Sequence, residues 1–272
     1  MKRQMQRRAR LGLLFFFIII PAAKGQIISE KPPQPLMDVG VEERLGETIP
    51  LDLLFVNSRG DTVTLGQYFK QGKPVLLSMV YYECPMLCTL VLNGLTNALQ
   101  QIPWTPGREF QMVTVSIDPE ETPDLAAQKK YRYLRSLRKP GIPEEGWVFL
   151  VGDSSQSKKL ADALGFRYKY DAKQDNYAHP AVAFLLTENG KISRYLYGIE
   201  FKERDLRLAL LEAGEGKIGN TLDKIILFCY HYDPDSQSYT LFATNLMRLG
   251  GVLTVIVLGI LLGILWKKDK FK

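Results

Sequence analysis

Between about residue 48 and residue 213, short apolar runs of strand length alternate with segments whose apolar residues recur at helical spacing. A continuous apolar run such as 74–82 (PVLLSMVYY) is typical of a strand that is buried on both faces. The predicted strands are 62–65, 74–82, 110–117, 147–151, 181–186 and 192–197, and the predicted helices are 87–100, 122–137, 154–164 and 203–213. This order predicts an α/β sandwich around a mixed central sheet.

Local signals mark the ends of several of these elements. Thr122 followed by Pro123 is typical of a helix N-cap with proline at the first helical position. Gly165 is placed to end the helix before it. Asn189 and Gly190 form a strong hairpin signal between the last two strands. The last two strands are therefore expected to pair antiparallel, while strands joined through helices pair parallel.

The net charge of +6 is concentrated at the two ends of the chain. Residues 1–26 hold six basic and no acidic residues, and residues 267–272 hold four lysines against one aspartate. Removing the +6 and the +3 of these ends from the total leaves −3 for residues 27–266. Because residues 27–266 are mildly acidic, a surface that binds the phosphates of a nucleic acid is not expected, and nucleic acid is not an expected partner.

The N-terminal residues have the pattern of a signal peptide. A basic segment, 1–10, precedes the apolar run 11–20 (LGLLFFFIII), and Ala23 and Gly25 supply small residues for cleavage before Gln26. We interpret 1–25 as a cleaved signal peptide; the alternative is a short uncleaved anchor. Residues 26–47 then form a linker and N-terminal extension, in which the prolines of 31–35 (KPPQP) favour an extended chain.

Near the other end, residues 249–266 carry no charge and would span about 27 Å as a helix. Trp266 and the lysines after it favour a membrane interface on the inner side. We therefore predict a C-terminal transmembrane helix, 246–266, with a cytoplasmic tail, 267–272. The alternative is a buried helix of a soluble domain. The prediction is a single-pass protein of a bacterial cytoplasmic membrane, in contact with lipid through this helix. Its domain at 48–213 and an extension at 214–245 lie on the periplasmic side.

Two of the three cysteines are placed for chemistry. Cys84 falls where a predicted strand ends, and Cys88 lies one turn into the following helix. Residues four apart share one helix face, so their Cα atoms would be about 6 Å apart, within reach of a disulfide. The helix N-terminus favours the thiolate. A dithiol at this position is the thioredoxin arrangement. The alternative is two small core residues.

The spacing of this pair favours a metal. Thioredoxin-type oxidoreductases separate their cysteines by two residues, whereas three separate Cys84 from Cys88. Soft thiolates select Cu(I), and an imidazole would complete a three-ligand site for Cu(I) or Cu(II). Of the two histidines, His179 is the better candidate, because Pro180 favours an extended entry into the hairpin strand. The alternative for His179 is a surface or structural histidine.

Three motifs together resemble the SCO/SenC family of copper proteins. They are the cysteine pair after an apolar strand, the segment 116–120 (SIDPE) after the next strand, and the histidine before a strand pair. The resemblance covers roughly residues 38–213. It implies a thioredoxin-like fold, with Cys84, Cys88 and His179 as copper ligands and Asp118 as the aspartate beside the site. It also implies a role in assembling the binuclear copper centre of cytochrome c oxidase, by metal delivery, thiol reduction or both.

Other residues carry two interpretations each. Asp118 could serve the site or tie down the turn before Thr122. In the extension, Cys229 and His231 would share one face of a strand, as a second metal or docking site. The favoured alternative is an aromatic hairpin that packs on the domain or at the membrane surface. Met86 could lend a thioether, although a helical methionine more often packs.

The leading functional hypothesis is a copper chaperone that serves a copper-bearing oxidase subunit in the same membrane; we expect a metallochaperone more than an enzyme. A thiol:disulfide reductase is the second hypothesis, because it needs the cysteines but neither His179 nor a metal. A redox sensor stays open. A peroxidase of the peroxiredoxin kind is disfavoured, since no Thr-x-x-Cys pattern surrounds Cys84.

Overall fold

The computed structural model describes residues 38–69, 72–84, 87–172, 174–215, 230–233, 238–241 and 243–269. Within these ranges, the side chains of 87–88, 230–246, 249 and 262–269 are outside the description. The predicted signal peptide, Met86 and Cys229 therefore lie outside the described residues, as do the side chains of Cys88 and His231.

The predicted mixed sheet is confirmed and has seven strands. Its centre consists of three parallel strands, and antiparallel strands lie on both sides of them. The three parallel strands are Val75–Val80, Gln111–Ser116 and Trp147–Val151. In chain order the strands are β2 (Leu54–Asn57), β3 (Thr62–Thr64), β4 (Val75–Val80), β5 (Gln111–Ser116), β6 (Trp147–Val151), β10 (Val182–Leu186) and β11 (Ile192–Tyr197). Their order across the sheet is β11-β10-β4-β5-β6-β2-β3. Every residue of the three parallel strands is buried, as their continuous apolar runs predict.

The four predicted helices are present, and their ends differ by at most one residue from those expected. They are α1 (Leu87–Gln101), α2 (Pro123–Leu137), α3 (Ser154–Ala163) and α4 (Glu203–Ala213). Thr122 caps α2, because its Oγ1 accepts a hydrogen bond of 3.3 Å from the N–H of Leu125. Helix α1 packs closely on the segment after β11. A Cβ at Gly94 would lie 2.0 Å from the carbonyl oxygen of Ile199, so only glycine allows this approach.

Three short strand pairs accompany the central sheet. Strand β1 (Gly40–Val41) pairs with β7 (Phe166–Arg167), and β8 (Lys169–Asp171) pairs with β9 (Asn176–Ala178), both antiparallel. In the C-terminal extension, β12 (Tyr230–Asp233) and β13 (Ser238–Leu241) form an antiparallel hairpin, and β13 lies against α4. Two or three residues are too few for a period-two pattern, which explains why the sequence did not indicate β1, β7, β8 or β9.

The predicted C-terminal segment belongs to a helix of 27 residues, α5 (Ala243–Asp269). The large apolar side chains described between Met247 and Leu261 are exposed. Among the residues that the structure describes, no helix combines the length and the apolar character needed to cross a membrane.

Candidate metal and thiol site

The loop from β4 to α1 leads to Cys84 and is fixed at its start by Tyr82. Tyr82 is buried, and its hydroxyl donates hydrogen bonds to the carbonyl oxygens of Leu150 (2.8 Å) and Thr114 (3.2 Å). Burial raises the pKa of the Tyr82 phenol well above its ordinary value, so the hydroxyl remains a donor. Because both acceptors belong to neighbouring strands, the loop begins at a fixed point on the sheet.

Cys84 is 7% exposed and follows Tyr82 by two residues. Its carbonyl oxygen accepts a hydrogen bond of 3.2 Å from Oγ1 of Thr89, in the first turn of α1. Cys88 is the second residue of α1, four positions after Cys84. The backbone therefore has the predicted arrangement, with one cysteine before the helix and the other in its first turn.

His179 lies in the three-residue stretch between β9 and β10 and is 6% exposed. Its Nδ1 is 3.0 Å from the carbonyl oxygen of Pro180. If Nδ1 carries the proton, this contact is a hydrogen bond and the lone pair is on Nε2, the form in which histidine binds metals. The imidazole meets the ring of Tyr81 nearly edge-on (centroids 6.1 Å apart, 82°) and lies 6.0 Å from the ring of Phe166.

The sheet register explains why the histidine and the cysteine loop approach each other. Strand β10 runs antiparallel to β4, and Ala183 pairs with Ser78. Residues that precede β10 therefore run beside residues that follow β4, which accounts for the contact between His179 and Tyr81. Tyr81 is three residues before Cys84. Within the described side chains, which do not include that of Cys88, no group of three His, Cys, Asp or Glu residues is placed to hold a metal ion.

Asp118 is half-buried and organises the turn after β5. Its Oδ1 accepts a hydrogen bond of 2.9 Å from the N–H of Glu120. Its own N–H donates a hydrogen bond of 3.0 Å to Oγ of Ser116. Of the two interpretations given to Asp118, these contacts correspond to the one in which it ties down the turn before Thr122.

Glu121 is a residue of the site region that the sequence interpretation missed. It is 9% exposed, and its Oε1 accepts a hydrogen bond of 2.7 Å from the N–H of Glu83, next to Cys84. Its Oε2 accepts a hydrogen bond of 2.5 Å from the hydroxyl of Ser116. Burial raises the pKa of the Glu121 carboxyl to about 7, and these hydrogen bonds oppose that rise. The position of Glu121 after β5 was the signal that could have identified it. The carboxyl ends of parallel strands lie at one edge of a sheet, so the loop after β5, with Glu121, lies beside the loop after β4, with Cys84.

Tyrosines border the histidine on the side of the β8–β9 hairpin. The ring of Tyr177 lies 5.7 Å from that of Tyr81 and 5.1 Å from that of Tyr170. Burial raises the pKa of Tyr177 to about 12, and the negative charge of Asp118 contributes to the rise. Tyr177 is therefore neutral near pH 7, and Tyr81 contacts the rings of both Tyr177 and His179.

The fold and this site define a class: an α/β protein of thioredoxin-like architecture, with a cysteine at the start of the first long helix and a buried histidine beside the loop before it. The model of the SCO1/SenC family matches residues 42–209. This match extends over more than half of the chain, and the chain therefore belongs to the SCO1/SenC family, as its motifs indicated.

Several solved structures are similar to this chain. One is a protein from Aquifex aeolicus that carries a provisional assignment to electron transfer; it is 29% identical over 62% of this chain and 94% of its own, with a TM-score of 0.55. ScoI from Bradyrhizobium japonicum, solved with copper bound, is 21% identical over 63% of this chain and 99% of its own, with a TM-score of 0.45.

A third similar structure is BsSco, which is described as having a disulfide switch and as a member of the Sco family of cytochrome c oxidase assembly proteins. It is 18% identical over 64% of this chain and 97% of its own, with a TM-score of 0.49. No curated protein sequence matches the chain significantly.

Proposed function

We propose that this chain binds copper through Cys84, Cys88 and His179 and delivers it to the binuclear copper site of a cytochrome c oxidase. Membership of the SCO1/SenC family supports this proposal. The proposal extends to this chain the copper that ScoI of B. japonicum binds and the oxidase assembly with which BsSco is associated. Copper is then the protein's cargo, and the partner is the copper-bearing subunit of the oxidase.

The observation that carries the proposal is the contact between the buried ring of His179 and Tyr81, three residues before Cys84. A histidine with a purely structural role has no need to be next to the cysteine loop. The β4–β10 register brings together segments about a hundred residues apart in the sequence, so the approach does not follow from chain proximity.

The donor set suits copper. Two thiolates favour Cu(I), and a neutral imidazole also suits Cu(II), so the three ligands can hold either oxidation state. The contact of Nδ1 with the carbonyl of Pro180 fixes the imidazole ring, as outer contacts do for metal-bound histidines. Thiols must lose their protons to bind, so affinity should fall as the pH falls.

The test is an anaerobic Cu(I) titration of the reduced full-length protein in detergent, in competition with a chromophoric chelator. We expect binding of a single ion, and we expect Cys84→Ser, Cys88→Ser and His179→Ala each to weaken it. The chain supplies matched controls: His231→Ala removes the other histidine, and Cys229→Ser removes the third cysteine. Equal affinity in His179→Ala and the unmodified protein would contradict the assignment of His179.

We also propose that the chain is held at the outer face of a bacterial cytoplasmic membrane by α5. The uncharged run 249–266 and the exposed apolar side chains between Met247 and Leu261 support this anchor. Tethering would raise the effective concentration of copper protein around a membrane-bound partner. Carbonate extraction and protease protection test the proposal: an anchored protein stays in the pellet, and intact spheroplasts leave its folded domain open to added protease. Release by carbonate would contradict the anchor.

A thiol:disulfide reductase that keeps the cysteines of the oxidase copper site reduced is the second candidate. It is favoured by the position of Cys88 in the first turn of α1, because a helix N-terminus stabilises a thiolate. This activity requires both cysteines and no imidazole. In a deletion strain, full restoration of oxidase activity by His179→Ala together with failure of Cys84→Ser would favour the reductase over the chaperone. A redox sensor would need the cysteines but leave oxidase assembly unaffected.

A further inference from the structure

The backbone of the cysteine loop is held at three successive residues, each by a different part of the fold. The side chain of Tyr82 reaches carbonyls of β5 and β6. The N–H of Glu83 meets the carboxylate of Glu121, and the carbonyl of Cys84 meets Thr89 of α1. Of these three contacts, the one to Glu83 is made by a carboxylate from a separate loop.

The carboxylate of Glu121 is itself held firmly. One oxygen faces the hydroxyl of Ser116, at the end of β5, and α2 begins two residues after Glu121. The carbonyl of Ser116 accepts a hydrogen bond of 2.9 Å from the hydroxyl of Ser157 in α3. A change in the position of Glu121 would therefore require movement of β5, α2 or both, which makes it a fixed reference point for the loop.

We propose that Glu121 is a positioning residue for the Cys84–Cys88 pair: its buried carboxylate holds the N–H of Glu83 and so sets the direction in which Cys84 enters the site. The proposal rests on the proposed function, since it assigns this contact a role in copper binding and in dithiol chemistry. The N–H concerned belongs to the peptide plane between Tyr82 and Glu83, one plane before the peptide that joins Glu83 to Cys84, so holding it restricts the directions in which the chain reaches the cysteine.

The choice of a carboxylate supports a functional role. Burying an acidic group is costly, and a neutral side chain such as glutamine could accept the same hydrogen bond. The environment of Glu121 includes the Asp118 carboxylate and the Tyr82 phenol, neither of which offsets a negative charge.

The test compares Glu121→Ala and Glu121→Gln in the full-length protein, with Glu120→Ala as the matched control, because Glu120 is the exposed neighbour of Glu121. The first measurement is Cu(I) affinity by chelator competition. Loss of an outer contact of this kind typically weakens metal binding about 10-fold to 100-fold. We expect such a loss for Glu121→Ala and a loss below about threefold for Glu121→Gln, which keeps an acceptor oxygen.

The second measurement needs no copper. Oxidised glutathione takes two electrons from the Cys84 and Cys88 thiols; one disulfide forms in the protein, and two molecules of glutathione with their thiol protons are released. We expect Glu121→Ala to lower the equilibrium constant of this exchange about tenfold, because the loop no longer holds the two sulfurs close enough for the disulfide to form without strain. If the unmodified protein binds no copper, the proposed function fails, and this equilibrium constant alone decides the role of Glu121.

Urea unfolding establishes that each variant is folded under assay conditions. If Glu121→Ala does not fold, the copper affinity and the exchange constant of Glu121→Gln test the proposal. Equal copper affinity and equal exchange constants in Glu121→Ala and the unmodified protein would overturn the proposal. The proposal would also be overturned if Glu121→Gln is folded but its copper affinity and its exchange constant are as low as those expected of Glu121→Ala.

Discussion

The buried carboxyl of Glu121 predicts a specific dependence of stability on pH. In the folded protein its pKa is raised to about 7, mainly by burial, against an ordinary value of 4.5. A carboxyl with a raised pKa binds its proton more tightly in the folded state than in the unfolded state. Its contribution to stability is therefore complete below pH 4.5 and is lost as the pH rises through about 7.

The difference between the two pKa values sets the magnitude. At about 1.4 kcal/mol per pH unit, the full effect is at most about 3–4 kcal/mol, and about 2–3 kcal/mol of it falls between pH 5 and pH 8. Glutamine in this position does not titrate. The unfolding free energy of the unmodified protein, measured relative to that of Glu121→Gln, should therefore fall by about 2–3 kcal/mol from pH 5 to pH 8.

Urea unfolding of the reduced, copper-free protein at pH 5, 6, 7 and 8 measures this difference, because groups common to both proteins cancel. Glu120→Gln is the control; its carboxylate is exposed, and its unfolding curve should follow that of the unmodified protein at every pH. A constant difference between the unmodified protein and Glu121→Gln across this range would refute the reasoning, since it would mean that Glu121 titrates alike in the folded and unfolded states.

Three further substitutions test how the loop and its helices are held. Tyr82→Phe should lower the unfolding free energy by about 1–3 kcal/mol in urea, because it removes the buried hydrogen bond to the carbonyl of Leu150. An unchanged value would contradict the anchoring role. Gly94→Ala should lower the unfolding free energy by more than about 2 kcal/mol, because its Cβ would meet the carbonyl of Ile199. Without this contact, replacing glycine by alanine within a helix would stabilise it. Thermal unfolding at or above the midpoint of the unmodified protein would show that α1 can move away. Thr122→Ala should lower the unfolding free energy by about 1 kcal/mol, because the cap of α2 is lost. Thr122→Ser keeps the hydroxyl and should therefore keep most of this stability. Equal losses in the two variants would argue against the cap.

The sequence predicted the elements that carry the cysteines because their patterns are long. A run of buried residues in β4 and a helical period in α1 are each visible over several residues, so their junction at Cys84 is also visible. The pairing of β4 with β10 depends on the order of strands across the sheet, which the local patterns do not specify. The short strands β8 and β9, which lie beside His179, had too few residues to produce a pattern.

The role of Glu121 was not accessible in the same way. The segment after β5 contains three acidic residues, and the sequence drew attention to Asp118. In the folded protein the Oδ1 of Asp118 binds the N–H of Glu120 within its own turn, whereas Glu121 reaches the loop before Cys84. Which of several neighbouring carboxylates points inward depends on the backbone of the turn, and composition and periodicity do not specify it.

The spectrum of the Cu(II) protein tests the central claim most directly. Anaerobic addition of one equivalent of Cu(II) to the reduced full-length protein should give thiolate-to-copper charge-transfer absorption, with nitrogen coupling in the electron spin resonance. His179→Ala should lose the nitrogen coupling, and His231→Ala should keep it. If the spectra of His179→Ala and the unmodified protein are identical, His179 is not a ligand, and the three-ligand copper site is contradicted.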